Sequence, residues 1–266
     1  MKVRFFSAVV ALAVLIPCLV LWEAQAAEWI VALVMGIGLY EYARMALPGD
    51  KFAALPLLVS GGLIYTTALH CAADGLRTAV VLGVLLIFLW SLFKVEAVEE
   101  AFSQVSKLSF GLLWVVIGGV HITLLAKTDM RWVVLLLLIV FAADTGAYFT
   151  GRAIGKHKLF ERVSPKKTWE GVFGGLVTAV AATLLFAHYE LPDLAINHGI
   201  LLAILVGAAG VCGDLVESLV KRACGVKDSG SIMHGHGDAL DRVDSLLLGG
   251  PVMVVVLEQL GLFSAA

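Results

Sequence analysis

The chain has 266 residues, of which 60% are hydrophobic and only 15% are charged, whereas an average soluble domain is about 25% charged. Its mean hydropathy is +0.95, so a water-soluble domain of this length could not cover its apolar surface, and a disordered chain is excluded. The composition therefore predicts a polytopic membrane protein, in which lipid solvates the apolar faces. A net charge of −2 gives no indication of nucleic-acid binding.

Apolar runs close to the length of a bilayer span, about 17–25 residues, recur along the whole chain. They predict about nine helices, at 4–22, 28–47, 53–70, 78–93, 108–126, 131–149, 171–187, 198–216 and 245–263. The expected fold class is an all-α polytopic integral membrane protein. We expect a single membrane-embedded domain over 1–266, with N-terminal helices in 1–130 and catalytic helices and cytoplasmic loops in 131–266.

The distribution of positive charge predicts the orientation. With the N-terminus in the cytoplasm and nine alternating helices, sixteen of the 19 Lys and Arg residues fall in cytoplasmic segments. Ala24-Gln25-Ala26 resembles a signal-peptidase site, so cleavage of the first helix is an alternative to its retention. We expect an integral protein of the bacterial inner membrane with its active site facing the cytoplasm.

The first chemically informative segment begins at Gly213. Asp214, Glu217 and Lys221 follow i, i+3, i+7 spacing, so they share one face of a helix. This helix continues an apolar run, and a carboxylate at the membrane boundary, such as Asp214, is a functional candidate because burying it is costly. For Glu217, an interfacial salt bridge with Lys221 at the helix end is an equally good interpretation.

A glycine-rich stretch then leads to two more carboxylates. Asp241 and Asp244 are three residues apart, and with Asp214 they form an oxygen-rich set that suits Mg²⁺, which shares its coordination with waters and substrate phosphates. His234 and His236 suggest zinc as an alternative, but their neighbours are carboxylates and not thiolates. Four cations in this segment are suited to neutralising phosphate oxygens: Lys221, Arg222, Lys227 and Arg242.

A second segment lies at 144–171. Asp144 is near the end of an apolar run, where it is either functional or a polar contact between helices. Ser164, Lys166 and Lys167 come just before a predicted helix, and a helix N-terminus with nearby cations is a natural phosphate site. Contact with anionic lipid is the alternative, and it better explains three other bases: Lys156, Lys158 and Arg162.

Together these segments resemble the phosphatidate cytidylyltransferase (CDP-diglyceride synthase) family. Residues 218–230 read S-x-x-K-R-x-x-x-x-K-D-x-G, and Gly235-His236-Gly237 and D-R-x-D at 241–244 follow with the family spacing. Two upstream stretches, D-T-G-A-Y at 144–148 and S-P-K-K-T-W-E-G at 164–171, also resemble family motifs. His234 and Asp238 differ from the signature, which has proline and a second glycine at these positions.

The resemblance implies a Mg²⁺-dependent enzyme that converts CTP and phosphatidic acid to CDP-diacylglycerol and pyrophosphate at the lipid bilayer. It implies metal ligation by Asp214, Asp241 and Asp244, with Lys227 and Asp228 completing the catalytic set. The implied phosphate- and substrate-binding residues are Asp144, Ser164, Lys166, Lys167, Ser218, Lys221, Arg222, His236 and Arg242. A second cation and a homodimer are left open. The alternatives are a CTP-dependent kinase of another lipid, such as a polyprenol kinase, and a transporter or non-catalytic scaffold.

Overall fold

The computed structural model describes residues 23–71, 73–95, 97–226 and 239–263. Within these ranges there are eight helices and one two-stranded hairpin. The helices are α1 (Glu23–Ala46), α2 (Ala54–His70), α3 (Ala73–Lys94), α4 (Val98–Thr128), α5 (Met130–Ile154), α6 (Trp169–Glu190), α7 (Ile196–Ala223) and α8 (Leu240–Gln259). The strands β1 (Lys158–Phe160) and β2 (Ser164–Thr168) lie between α5 and α6.

The all-α membrane architecture predicted from composition is confirmed. Each predicted apolar run from residue 28 onward falls on one of α1–α8, and six of the described helices are long and apolar enough to cross a bilayer: α1, α3, α4, α5, α6 and α7. α2 is apolar but has only 17 residues. The run at 4–22 lies outside the described residues, so the count of nine helices stays a prediction.

Two groups of buried apolar side chains form the core. One is built mainly from α1 to α4 and includes Leu39, Leu57 and Leu112, and the other is built mainly from α5 to α8 and includes Ile139 and Leu202. α4 and α8 contribute side chains to both groups. The first four helices are therefore packed against the helices that carry the signature residues.

Polar contacts hold α1, α2 and α4 together at one end of the bundle. Nε2 of His70 lies 2.6 Å from Oε1 of Glu28, and Nζ of Lys127 lies 3.2 Å from Oε2 of the same carboxylate. The hydroxyl of Tyr65 donates to the carbonyl oxygen of Glu28 at 2.9 Å and lies 2.7 Å from the hydroxyl of Thr123. In the predicted topology this end is the external one.

The hairpin is a difference from the purely helical expectation. β1 and β2 pair in antiparallel fashion, with Lys158 opposite Thr168. At the base of the hairpin, the Glu170 carboxylate accepts a hydrogen bond from the backbone N–H of His157 and lies 2.6 Å from Nδ1 of the same histidine. Thr168 caps α6, because its hydroxyl accepts from the N–H of Gly171. The residues predicted to precede a helix thus lie on a strand that runs directly into α6.

Glycines bring the helices of the second half into close contact. A Cβ added to Gly175 of α6 would lie 2.5 Å from the carbonyl oxygen of Ala143 in α5, and one added to Gly213 of α7 would lie 2.5 Å from the carbonyl oxygen of Asp244 in α8. Both neighbours are backbone atoms, which cannot rotate away. These approaches bring the residues flanking Asp144, Asp214 and Asp244 together.

Candidate functional site

An ion pair joins the hairpin to α7. The Nζ of Lys167 in β2 lies 2.6 Å from Oδ2 of Asp214 in α7. Ser218, one turn further along α7, donates its hydroxyl to Oδ1 of the same carboxylate at 3.3 Å. The Lys167 and Asp214 side chains are 24% and 32% exposed, so neither is fully enclosed by the protein. Three predicted residues from two separate segments therefore meet.

Lys221 joins α7 to α8 through two carboxylates. Its Nζ lies 2.8 Å from Oε2 of Glu217 and 3.1 Å from Oδ1 of Asp241. Glu217 is only 2% exposed, and its other oxygen, Oε1, has no hydrogen-bond partner among the described residues. The salt bridge predicted as an alternative for Glu217 is present, and the same lysine also holds the candidate ligand Asp241.

Asp244 and Asp144 extend this arrangement electrostatically. Asp244 is 7% exposed and accepts a hydrogen bond from the N–H of Ser245 at 2.6 Å, and its carboxyl group experiences the charges of Asp214 and Lys167. The Asp144 carboxyl group experiences the same two charges. We call the combined set the carboxylate–lysine network; its members are Asp144, Lys167, Asp214, Glu217, Lys221, Asp241 and Asp244.

The network carries more negative than positive groups. Five carboxyl groups lie with two ammonium groups among its members. Like charges this close in a partly buried site are unfavourable, and either a proton held between carboxyl groups or a further cation relieves them. In the part of the chain that the structure describes, no group of three or more His, Cys, Asp or Glu side chains is placed to hold a metal ion. Mg²⁺, however, commonly uses one or two carboxylates and completes its coordination with waters and substrate phosphates. The donor chemistry therefore fits a divalent cation bound together with a phosphorylated substrate.

The other predicted site residues fall into two groups. Ser164 is half-buried, and three cations are exposed to solvent: Lys166, Arg222 and Arg242. Lys227, Asp228 and His236 lie outside the described residues, as do the two positions that differ from the signature, His234 and Asp238.

Two carboxylates that contact the network or the start of α8 were not among the predicted site residues. Glu217 bridges to the network through Lys221, and Glu41 of α1 accepts hydrogen bonds from the backbone at the start of α8. The sequence feature that could have identified both residues is the one used for Asp214, namely a carboxylate within or beside an apolar run. The partner of Glu41 is nearly 200 residues away along the chain, so no local pattern indicates what this carboxylate binds.

Known sequences match this chain over nearly its whole length. The sequence model of the cytidylyltransferase family matches residues 2–260. A phosphatidate cytidylyltransferase of Staphylococcus epidermidis is 34% identical over 266 residues, which is 97% of this chain and 100% of the relative. One of Pseudomonas aeruginosa is 34% identical over 274 residues, which is 98% of each chain.

A shorter region is more similar still. A phosphatidate cytidylyltransferase of Haemophilus influenzae is 49% identical over 118 residues, which is 43% of this chain and 41% of the relative. That match spans less than half of either protein, whereas the matches to the Staphylococcus and Pseudomonas proteins run over nearly full length.

Proposed function

The chain belongs to the cytidylyltransferase family, and from this premise we propose the reaction and the site at which it takes place. It is a membrane-embedded nucleotidyltransferase that transfers the cytidylyl group of CTP to phosphatidate. The products are CDP-diacylglycerol, which stays in the membrane as an intermediate of phospholipid biosynthesis, and pyrophosphate. The observation that supports the site is the carboxylate–lysine network. Ion pairs within it join β2, α7 and α8, and Asp144 of α5 lies within electrostatic reach of Lys167 and Asp214.

The reaction fits a site that positions charged groups. An oxygen of the phosphatidate phosphate attacks the α-phosphorus of CTP, a new P–O bond forms, and the bond to the β-phosphate breaks so that pyrophosphate leaves with the bonding electron pair. The attacking phosphate is already anionic near pH 7, so no strong general base is needed. Lys167 and Lys221 are placed to neutralise phosphate oxygens, and their fixed positions lower the barrier by orientation and electrostatics.

We further propose that Mg²⁺ is the cation, held by carboxylates from among Asp214, Asp241 and Asp244. When bound, it would neutralise charge on the triphosphate and polarise the α-phosphoryl group. The excess of carboxyl groups over ammonium groups in the network supports this proposal. Whether one or two cations bind is left open.

The network is proposed to face the cytoplasm of a bacterial inner membrane. The support is the predicted topology, in which sixteen of the 19 Lys and Arg residues are cytoplasmic. At the membrane surface a lipid phosphate and a water-soluble nucleotide can meet.

A metal-dependent product assay on the purified protein tests the function. We expect pyrophosphate and CDP-diacylglycerol from CTP only when phosphatidate and Mg²⁺ are both present. Asp241→Asn should abolish turnover while the protein remains folded by circular dichroism and gel filtration. Wild-type activity in this variant would remove Asp241 from the metal site, and release of CDP in place of pyrophosphate would identify a lipid kinase.

A further inference from the structure

Glu41 caps a helix that belongs to the other half of the chain. Its carboxylate accepts hydrogen bonds from the backbone N–H groups of Ala239, at 3.1 Å, and Leu240, at 2.9 Å, with one oxygen for each. The first N–H groups of a helix have no partner within the helix, and the N-cap residue Ala239 provides no side-chain acceptor. The cap of α8 therefore comes from α1.

The burial of this contact makes it energetically important. Glu41 is 1% exposed, and a buried carboxylate is tolerated when it accepts charge-assisted hydrogen bonds at the positive end of a helix dipole. Removing it would leave the buried N–H of Leu240 and the part-buried N–H of Ala239 without these acceptors, which costs more than losing a solvent-exposed cap.

A second contact fixes the same turn of α8 on the same face of α1. Leu240 is fully buried, and its Cδ1 lies 3.6 Å from the position that a Cβ on Gly38 would occupy. Gly38 and Glu41 are three residues apart, so they face the same direction on α1. The start of α8 is thus held by an apolar contact and by two hydrogen bonds.

This turn of α8 carries the candidate metal ligands. Asp241 follows Leu240 directly, and Asp244 is one turn further on. Any rotation or shift at the start of α8 would change the distance from Asp241 to Lys221, now 3.1 Å, and the position of Asp244 relative to α7. We propose that Glu41 is a positioning residue for the reaction, which anchors α8 to α1 and so holds Asp241 and Asp244 in place for the cation and the triphosphate. This inference rests on the function proposed above.

Two substitutions of Glu41 and one control test the proposal in the full-length protein reconstituted in lipid nanodiscs. Glu41→Ala removes both acceptors, whereas Glu41→Gln is nearly isosteric and keeps one carbonyl oxygen as an acceptor. Tyr65→Phe is the control, because it removes hydrogen bonds to α1 and α4 at the opposite end of the bundle. Hydrogen–deuterium exchange at 239–246 reports the anchoring of α8, and the Mg²⁺ dependence of pyrophosphate release reports its consequence.

We expect Glu41→Ala to speed amide exchange at 239–246 about 10-fold and to raise the Mg²⁺ concentration for half-maximal rate about 10-fold. The KM for phosphatidate should stay within about two-fold of the wild-type value, since a residue that acts through the metal ligands does not bind the lipid. Glu41→Gln should show smaller changes in the same direction, and Tyr65→Phe should show neither change.

Wild-type exchange at 239–246 together with a wild-type Mg²⁺ dependence in either Glu41 variant would overturn the proposal. A loss of rate with both readouts unchanged would also overturn it, because it would place the effect of Glu41 elsewhere. If Glu41→Ala does not fold, the Gln variant decides. A wild-type protein with no Mg²⁺-dependent activity would refute the proposed function, while the exchange data would still decide whether Glu41 anchors α8.

Discussion

Two adjacent lysines in β2 have different surroundings. Lys167 forms the ion pair with Asp214, whereas Lys166 is exposed to solvent. Successive side chains of a strand point to opposite faces, so only one of the two can point toward α7. In the sequence both were equal candidates for phosphate binding, because they were expected in a loop before a helix and not on a strand.

This difference predicts unequal effects of substitution. Lys167→Gln should lower kcat/KM for CTP by about 100-fold, since it removes a cation placed beside the reacting phosphates. Lys166→Gln should cause a smaller loss. Steady-state kinetics at saturating phosphatidate measure both variants. Equal losses would show that the ion pair with Asp214 does not distinguish the functional lysine.

At the scale of the helices, the contact between α7 and α8 controls the spacing of the network. Gly213→Ala would place a methyl group 2.5 Å from the backbone oxygen of Asp244, so the two helices must separate beside Asp214. We expect a loss of kcat of at least about 10-fold, because a displacement near 1 Å in an active site can cost 100-fold.

Gly207→Ala is the matched control on the same helix. There the added methyl group would meet the end of the flexible Leu176 side chain at 3.0 Å, which can adjust. Activity and thermal unfolding in detergent should both change less than in Gly213→Ala. The prediction is wrong if the two alanine variants have the same kcat.

The turn between α4 and α5 gives a prediction about stability and pH. Asp129 caps α5 by accepting from the N–H of Arg131 at 2.9 Å, and it also accepts from the Arg131 guanidinium. The hydrogen bonds from Arg131 hold the pKa of Asp129 below its ordinary value of 3.8. Because the pKa is lower in the folded state, the stabilisation is present above pH 4 and is lost as the pH falls through the folded-state pKa.

Asp129→Ala should therefore destabilise the protein by about 1 kcal/mol at pH 7, the usual cost of losing a cap. The difference between variant and wild type should shrink below pH 4, and unfolding by denaturant in detergent measures it. Activity at pH 7 should be unchanged, since the network lies at the opposite end of α5. A difference independent of pH would show that the Asp129 carboxylate charge does not contribute.

At the scale of the whole molecule, the predicted orientation can be tested with a membrane-impermeant maleimide. Cys71 is exposed and follows the end of α2 at His70, which the topology places outside. With the other three cysteines replaced by alanine, Cys71 should react in right-side-out vesicles. In a cysteine-free protein, Lys156→Cys should react only in inside-out vesicles. The reverse pattern would invert the topology and move the network away from the cytoplasm.

The sequence predicted the helices better than it predicted the contacts between their side chains. Apolar runs define α1–α8 because lipid requires a helix wherever a span is apolar. The i, i+3, i+7 spacing of Asp214, Glu217 and Lys221 also predicted their shared face. The hairpin was missed because its strands are short and mostly exposed, and the cap by Glu41 was missed because tertiary contacts leave no periodic pattern.

The ion pair between Lys167 and Asp214 has a consequence for ligand binding. A cation that ligates Asp214 competes with an ammonium group already 2.6 Å away, so binding at this carboxylate weakens an ion pair that the protein already holds. The measured affinity then reports the difference between two counterions, and Lys167, once released, becomes available to the triphosphate that arrives with the metal. Truncating the Lys167 side chain should therefore tighten the binding of a divalent cation alone and weaken the binding of the nucleotide alone. Calorimetric titration with each ligand separately would measure these two opposite changes in affinity.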